Sequence, residues 1–186
     1  MALPTPSQTV GPFFIIGLPF EGDERLVDED APDAVRIEGV VFDGDGVPVD
    51  DALVEIWQAN RGGRYAHPED TREEVPLEDG FMGHGRCGTD ASGRYGFLTV
   101  KPGPVPAPGG GLQAPHIEVS VLARGLLKRL STRIYFPDEA EANETDPVLS
   151  GLDPERRGTL VARDDGGVLR FDIRLQGEAE TVFFDV

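Results

Sequence analysis

Only one cysteine, Cys87, occurs in 186 residues, so no disulfide can form within the chain and nothing marks an oxidising compartment. Basic residues are scarce as well: 17 Lys and Arg face 34 Asp and Glu, a formal charge of minus 17. Such a field repels phosphate backbones and anionic lipid surfaces, so neither nucleic acid nor membrane is an expected partner. An anionic aromatic substrate would meet the same repulsion, and a site for one needs a local basic residue. Long apolar runs are missing too. The stretch from Phe13 to Phe20 is short, is broken by Gly17 and Pro19, and follows no basic segment, so it reads neither as a membrane span nor as a secretion signal. The expected location is the cytoplasm. No long amphipathic helix and no internal repeat is legible.

What is abundant is turn chemistry: 24 Gly and 16 Pro are spread along the chain between short apolar segments. Residues 1–33 read as an N-terminal arm followed by an acidic loop. The proline-rich, apolar arm suits packing on a partner surface better than a self-contained core. VRIEGVVF (35–42) is β-branched and alternating, and the DGDG turn at 43–46 predicts a hairpin with LVEIWQA (53–59). A second hairpin-like pair is expected around DASG (90–93), leading into RYGFLTV (94–100). KPGPVPAPGGG (101–111) should stay out of regular structure. HIEVSVLAR (116–124) and STRIYF (131–136) alternate as strands, an acidic helix is predicted from Pro137 to Asn143, and a last hairpin spans Thr159 to Gln176. Strands at this spacing, with one or two short helices, predict a single all-β domain over 1–186, a β-sandwich.

The ordered motifs WQANRGGRYAHP (57–68), GRCGTDASGRYGFLTV (85–100) with KPGPVP (101–106), QAPHIEVSV (113–121) and STRIYF (131–136) resemble the intradiol ring-cleavage dioxygenases. The resemblance implies that family's β-sandwich and its chemistry: a non-haem ferric ion held by two tyrosines and two histidines, catechol and O2 as substrates, and ring opening between the hydroxyl-bearing carbons. Hard phenolate donors suit ferric iron. Carried over by position, Tyr65 takes the place of the first tyrosine and Val105 that of the second. His116 matches the first histidine, whereas Glu118 replaces the second, and Gln113 replaces an arginine three residues before His116. Two of the four ligands are therefore absent, and this chain is expected to bind no metal.

Some members of the family pair an alpha subunit that has lost these ligands with a homologous beta subunit that keeps them. The opening TPSQTVGPFF (5–14), LLKRLSTRIYFPDEAEAN (126–143) and the C-terminal RFDIRLQGEAETVFFDV (170–186) resemble such alpha subunits. The resemblance then implies a hetero-oligomer with Fe3+ in the beta subunit, acting on 3,4-dihydroxybenzoate. In this chain Thr9, Gly11, Pro12 and Arg133 are the expected substrate-binding residues, Arg133 gripping the carboxylate through its planar fork. A simpler reading pairs Arg133 with Asp138 or Glu139 on the surface. His67 and His84 are expected as surface histidines, and Trp57 as core. The alternative function is a non-catalytic ligand-binding or scaffold sandwich.

Overall fold

The computed structural model describes residues 9–11 and 13–185. Pro12 lies outside the described residues, and so do residues 1–8 of the arm. The arm's single helical turn, α1 (Phe14–Gly17), buries Phe14 and leaves Phe13 and Ile16 exposed. It is followed by β1 (Ala34–Phe42), β2 (Leu53–Trp57), β3 (His84–Gly88), β4 (Arg94–Val100), β5 (Val105–Pro106), β6 (Leu112–Gln113), β7 (His116–Leu122) and β8 (Leu130–Tyr135). Three short helices come next, α2 (Ala140–Thr145), α3 (Pro147–Ser150) and α4 (Pro154–Arg157), then a 3-10 turn (Gly158–Leu160) and β9 (Arg163–Asp165), β10 (Val168–Arg170) and β11 (Ile173–Arg174).

The strands form the expected sandwich. In one sheet β1 is central: β4 pairs antiparallel on one side, while β10 and then β11 pair parallel on the other, with β9 outside β10. The other sheet runs β3-β2-β7-β8, antiparallel throughout. Alternation places Ile37, Val41 and Phe97 from the first sheet against Ile56, Ile117 and Ile134 from the second, all buried. That apolar layer fixes which face of β7 and β8 points outward. Buried Gln58 ties the sheets together at the end of β2: its amide donates to the Val100 carbonyl at 2.8 Å and its oxygen accepts from Thr99 at 2.7 Å.

Two expected hairpins turn out to be sheet crossings. The Asp43 turn forms, its carboxylate accepting from Asp45 and Val47 amides, and Pro48 returns beside Phe42. The chain then leaves for the opposite sheet, because Ala52, Leu53 and Val54 in succession all require burial. The turn at Asp90–Gly93 likewise joins β3 in one sheet to β4 in the other. Turn residues report that the chain reverses, not whether it stays in its sheet.

Smaller corrections follow the same logic. The 101–111 segment is not wholly irregular, since β5 and β6 pair Val105 with Gln113. The acidic helix starts at Ala140, and the last hairpin shrinks to β9–β10, with Thr159 in the 3-10 turn. Four short helices stand among the described residues, against the one or two expected. Between β10 and β11 the ladder breaks at Phe171 and Asp172, where the Asp172 carboxylate accepts the Val40 N–H at 3.1 Å. Gly39 sits at this break. A Cβ there would lie 1.8 Å from the Phe171 carbonyl oxygen, so only glycine fits.

Candidate functional site

On the outward face of the second sheet, cross-strand register sets Trp57 of β2 opposite Glu118 of β7, and Glu118 opposite Arg133 of β8. Neighbouring positions on one face lie about 5 Å apart. Tyr65 joins them from the loop after β2. Asn60 builds that loop: its side-chain oxygen accepts from the Gly62 and Arg64 amides, both at 3.0 Å, and its amide donates to Pro76. Gly63 has a φ of 83°, and a Cβ on it would meet the Pro104 carbonyl at 2.1 Å, so the loop is pressed onto the segment leading to β5. Beyond it the Tyr65 amide donates to Asp70 at 2.8 Å. Arg72 grips that same carboxylate by both oxygens, holding it far below the usual carboxylate range.

The result is an open cavity of about 690 Å³ lined by Tyr65, Val105, His116, Glu118 and Arg133 beside Trp57. All four positions singled out by resemblance converge on it. Trp57 is a rim residue rather than core: Tyr65 stacks on it at 5.9 Å and 9°, and exposed His67 and His84 edge it at 6.3 Å. The two histidines are surface residues, as expected.

Each polar group in the cavity is oriented by a second one. The His116 ring is buried, and its Nδ1 donates to the Ala114 carbonyl at 2.7 Å, which leaves Nε2 facing Glu118 Oε1 at 3.5 Å. Arg133 Nη2 meets that same Glu118 oxygen at 2.6 Å. The other arm of the guanidinium, Nη1, donates to Gln113 at 2.7 Å and to the Tyr135 hydroxyl at 3.2 Å. Phe184 lies under it at 5.9 Å. Burial alone would raise the Glu118 pKa, but His116 and Arg133 outweigh it and hold the carboxyl below its ordinary value. Burial, reinforced by the Glu118 charge, pushes the Tyr65 phenol up to about 12.

Asp146 is a positioning residue that sequence reasoning missed. Fully buried, it accepts from the Ala114 amide at 2.8 Å and the Tyr135 hydroxyl at 3.1 Å, and it caps α3 through the Val148 and Leu149 amides. It therefore pins the segment that carries Gln113 and His116 to the strand that carries Arg133. The signal available was Asp146 followed by Pro147, an N-cap with proline in the first turn.

Arg133 does not take the surface pairing, since Asp138 and Glu139 bind Lys101 instead. Nor is its guanidinium unpartnered toward an outside carboxylate, because Glu118 and Gln113 already engage it. Thr9 and Gly11 do not line this cavity. The arm residues that follow them lie along β3, where Ile15 covers Gly88 and Arg86 donates to the Leu18 carbonyl at 3.1 Å. That edge is three strands, roughly 14 Å, from β8.

The residues around the cavity do not fit a ferric ion. Val105 has no donor atom, and a fixed cation sits 2.6 Å from the carboxylate that replaces a histidine. A trivalent metal at that point would be repelled by the guanidinium.

A protein-family profile described as dioxygenase matches residues 9–177. Protocatechuate 3,4-dioxygenase alpha chain of Burkholderia cepacia is 45% identical over 199 residues, covering 98% of this chain and 97% of that protein. The protein of the same description from Pseudomonas putida is 43% identical over 198 residues, 97% and 96% of the two chains. The B. cepacia protocatechuate 3,4-dioxygenase beta chain is also similar, at 39% over 157 residues, 79% of this chain and 66% of that one. Among solved structures, the dioxygenase domain of a dioxygenase–carbohydrate-binding fusion from Streptomyces sp. SirexAA-E shares 30% identity at a TM-score of 0.59, covering 94% of this chain and 99% of that one.

Proposed function

Because the chain belongs to the intradiol dioxygenase family, whose members use non-haem iron, we propose that it is the alpha subunit of a protocatechuate 3,4-dioxygenase. Its homologous beta subunit carries the Fe3+, and the assembled pair opens 3,4-dihydroxybenzoate with O2 to 3-carboxy-cis,cis-muconate in the cytoplasm. The observation that carries this reading is the ion pair that Glu118, at one of the family's ligand positions, makes with Arg133, which leaves the fold intact and the donor set unsuited to iron. Similarity to both an alpha and a beta chain supports the pairing.

The arm is the part offered to the partner. Val10, Phe13, Ile16 and Phe20 are 46%, 78%, 77% and 68% exposed, a run of apolar side chains suited to burial in an interface. Thr9, Gly11 and Pro12 precede or interrupt that run, and in this reading they wall the partner's substrate pocket. Gly11 holds a φ of 74°, open only to a residue without a Cβ at low cost, and so brings bare backbone to the pocket. Arg133 remains the candidate for the substrate carboxylate in this reading, its guanidinium held within this chain by Glu118 and Gln113.

Iron content and protocatechuate-dependent oxygen uptake, measured for the chain alone and for the chain co-purified with its partner, test the proposal. Iron and turnover confined to the complex support it. Iron and turnover in the lone chain would overturn it, and neither in either sample would favour the scaffold role.

A further inference from the structure

Three arginines from three strands meet in another cavity, about 180 Å³ in volume, beside the ladder break in the first sheet. It shares no lining residue with the cavity around Glu118. Arg163 of β9 and Arg170 of β10 are direct cross-strand partners, so two like charges stand on one face with their Cβ atoms about 5 Å apart, which costs stability unless something negative lies between them. The acids at hand hold them only in part. Arg170 meets Glu38 at 2.5 Å and Asp165 at 3.4 Å, and neither of those carboxylates lines the cavity. Arg163 is exposed and comes no nearer than 3.6 Å to Asp172, the one carboxylate in the lining, whose other oxygen already accepts the Val40 N–H. Arg174 of β11 has no carboxylate within 4.0 Å among the described residues, and its guanidinium rests on the Phe42 ring at 4.7 Å. Buried Thr181 completes the lining: its oxygen accepts the Arg174 N–H at 2.9 Å, and among the described residues nothing accepts its hydroxyl proton.

We propose that this cavity is an anion site that takes a phosphate dianion, free or as the phosphate group of a small ester. Three guanidiniums against one carboxylate reverse the chain's own balance of 17 basic to 34 acidic residues, so the surplus is local and offsets a field that elsewhere repels anions. A planar carboxylate has two oxygens for three guanidinium forks and a hydroxyl, whereas a phosphate has three or four, each able to accept charge-assisted bonds. An anion between Arg163 and Arg170 removes the like-charge contact in their register. Arg174 can supply its fork without first breaking an ion pair. Two or three such contacts put the dissociation constant at about 1 mM or below.

The test is equilibrium dialysis of the purified complex against inorganic phosphate and, separately, glycerol phosphate, at an ionic strength fixed with chloride, with the anion counted per copy of this chain. One anion per copy is expected. Arg174→Gln should weaken that binding at least about tenfold, and Arg174→Lys, which keeps the charge, should weaken it less. Arg156→Gln removes an arginine outside the cavity and should bind as the unaltered protein does. Phosphate held by the partner's iron would persist in every variant and so drops out of the comparison. Equal uptake by Arg174→Gln and the unaltered protein would overturn the proposal, as would an equal loss in Arg156→Gln, which would assign the uptake to overall charge. Tighter binding of glycerol phosphate would identify an ester as the ligand, and tighter binding of inorganic phosphate the free ion. Should Arg174→Gln fail to assemble, Arg163→Gln, at an exposed position, is judged by the same outcomes. Oxygen uptake is a separate readout, so failure here leaves the subunit assignment standing.

Discussion

Replacing Asp146 by alanine should damage this protein more than any change to its exposed acids. The carboxylate is wholly buried and accepts four hydrogen bonds, from the amides of Ala114, Val148 and Leu149 and from the Tyr135 hydroxyl. Loss of the α3 cap alone costs about 1 kcal/mol. The buried Ala114 N–H and the Tyr135 O–H would then lack acceptors, at about 1 to 3 kcal/mol each. Relief of a desolvated charge returns part of this, which leaves a net loss of about 4 kcal/mol. Asp146→Asn should cost roughly half as much, because its oxygen can still cap the helix while its amide would meet the Ala114 donor. Urea unfolding of each variant, with matched slopes, gives the difference. A loss below about 1 kcal/mol for Asp146→Ala would refute the reasoning and mean that the segment before β7 is held by packing alone.

The cavity's charges give two pH predictions of opposite sense. Glu118 is held below its ordinary pKa by His116 and Arg133 despite burial, so its contribution is present above the unfolded value of about 4.3 and is lost as pH falls through the lower folded value. Glu118→Gln should cost about 2 kcal/mol at neutral pH and flatten the acid limb of a stability profile; an unchanged limb would assign that limb to other carboxylates. Tyr65 has its folded pKa raised to about 12, so stability should fall as pH rises from about 10 toward that value. Tyr65→Phe should remove about 1.3 kcal/mol of this alkaline loss, measured by unfolding at pH 9 and 11. Gly39→Ala puts a methyl group 1.8 Å from the Phe171 carbonyl oxygen and should cost about 3 kcal/mol or more in thermal unfolding; tolerance would mean that the β10–β11 break can shift.

The sandwich was legible because burial demands leave a period of two in segments such as VRIEGVVF and HIEVSVL, which become β1 and β7. Their partners were not, because a turn at Asp43 or Asp90 looks the same whether the chain returns to its sheet or crosses to the other. The convergence of Tyr65, Val105, His116 and Glu118 was legible through the resemblance to the family, which places all four at its ligand positions. The state of Arg133 was not, since it depends on the register of β7 against β8, which pairs positions symmetric about the Gly125 turn. Sliding the two strands for charge complementarity would have set Glu118 against Arg133, a cross-strand pairing that local pattern alone does not reveal.

That register bears on how the cavity could lose a metal and remain folded. Glutamate at position 118 without Arg133 would leave a half-buried carboxylate with only the His116 ring beside it, an arrangement that folding penalises. Arginine at 133 without Glu118 would leave a guanidinium at 16% side-chain exposure with only the neutral Gln113 and Tyr135 as partners. Each substitution is costly alone and neutralised by the other, so the pair is a single coupled feature. The same coupling explains why the cavity has neither collapsed nor filled. Its charges are balanced internally, and Asp146 holds the loop and the strand that bear them at a fixed spacing.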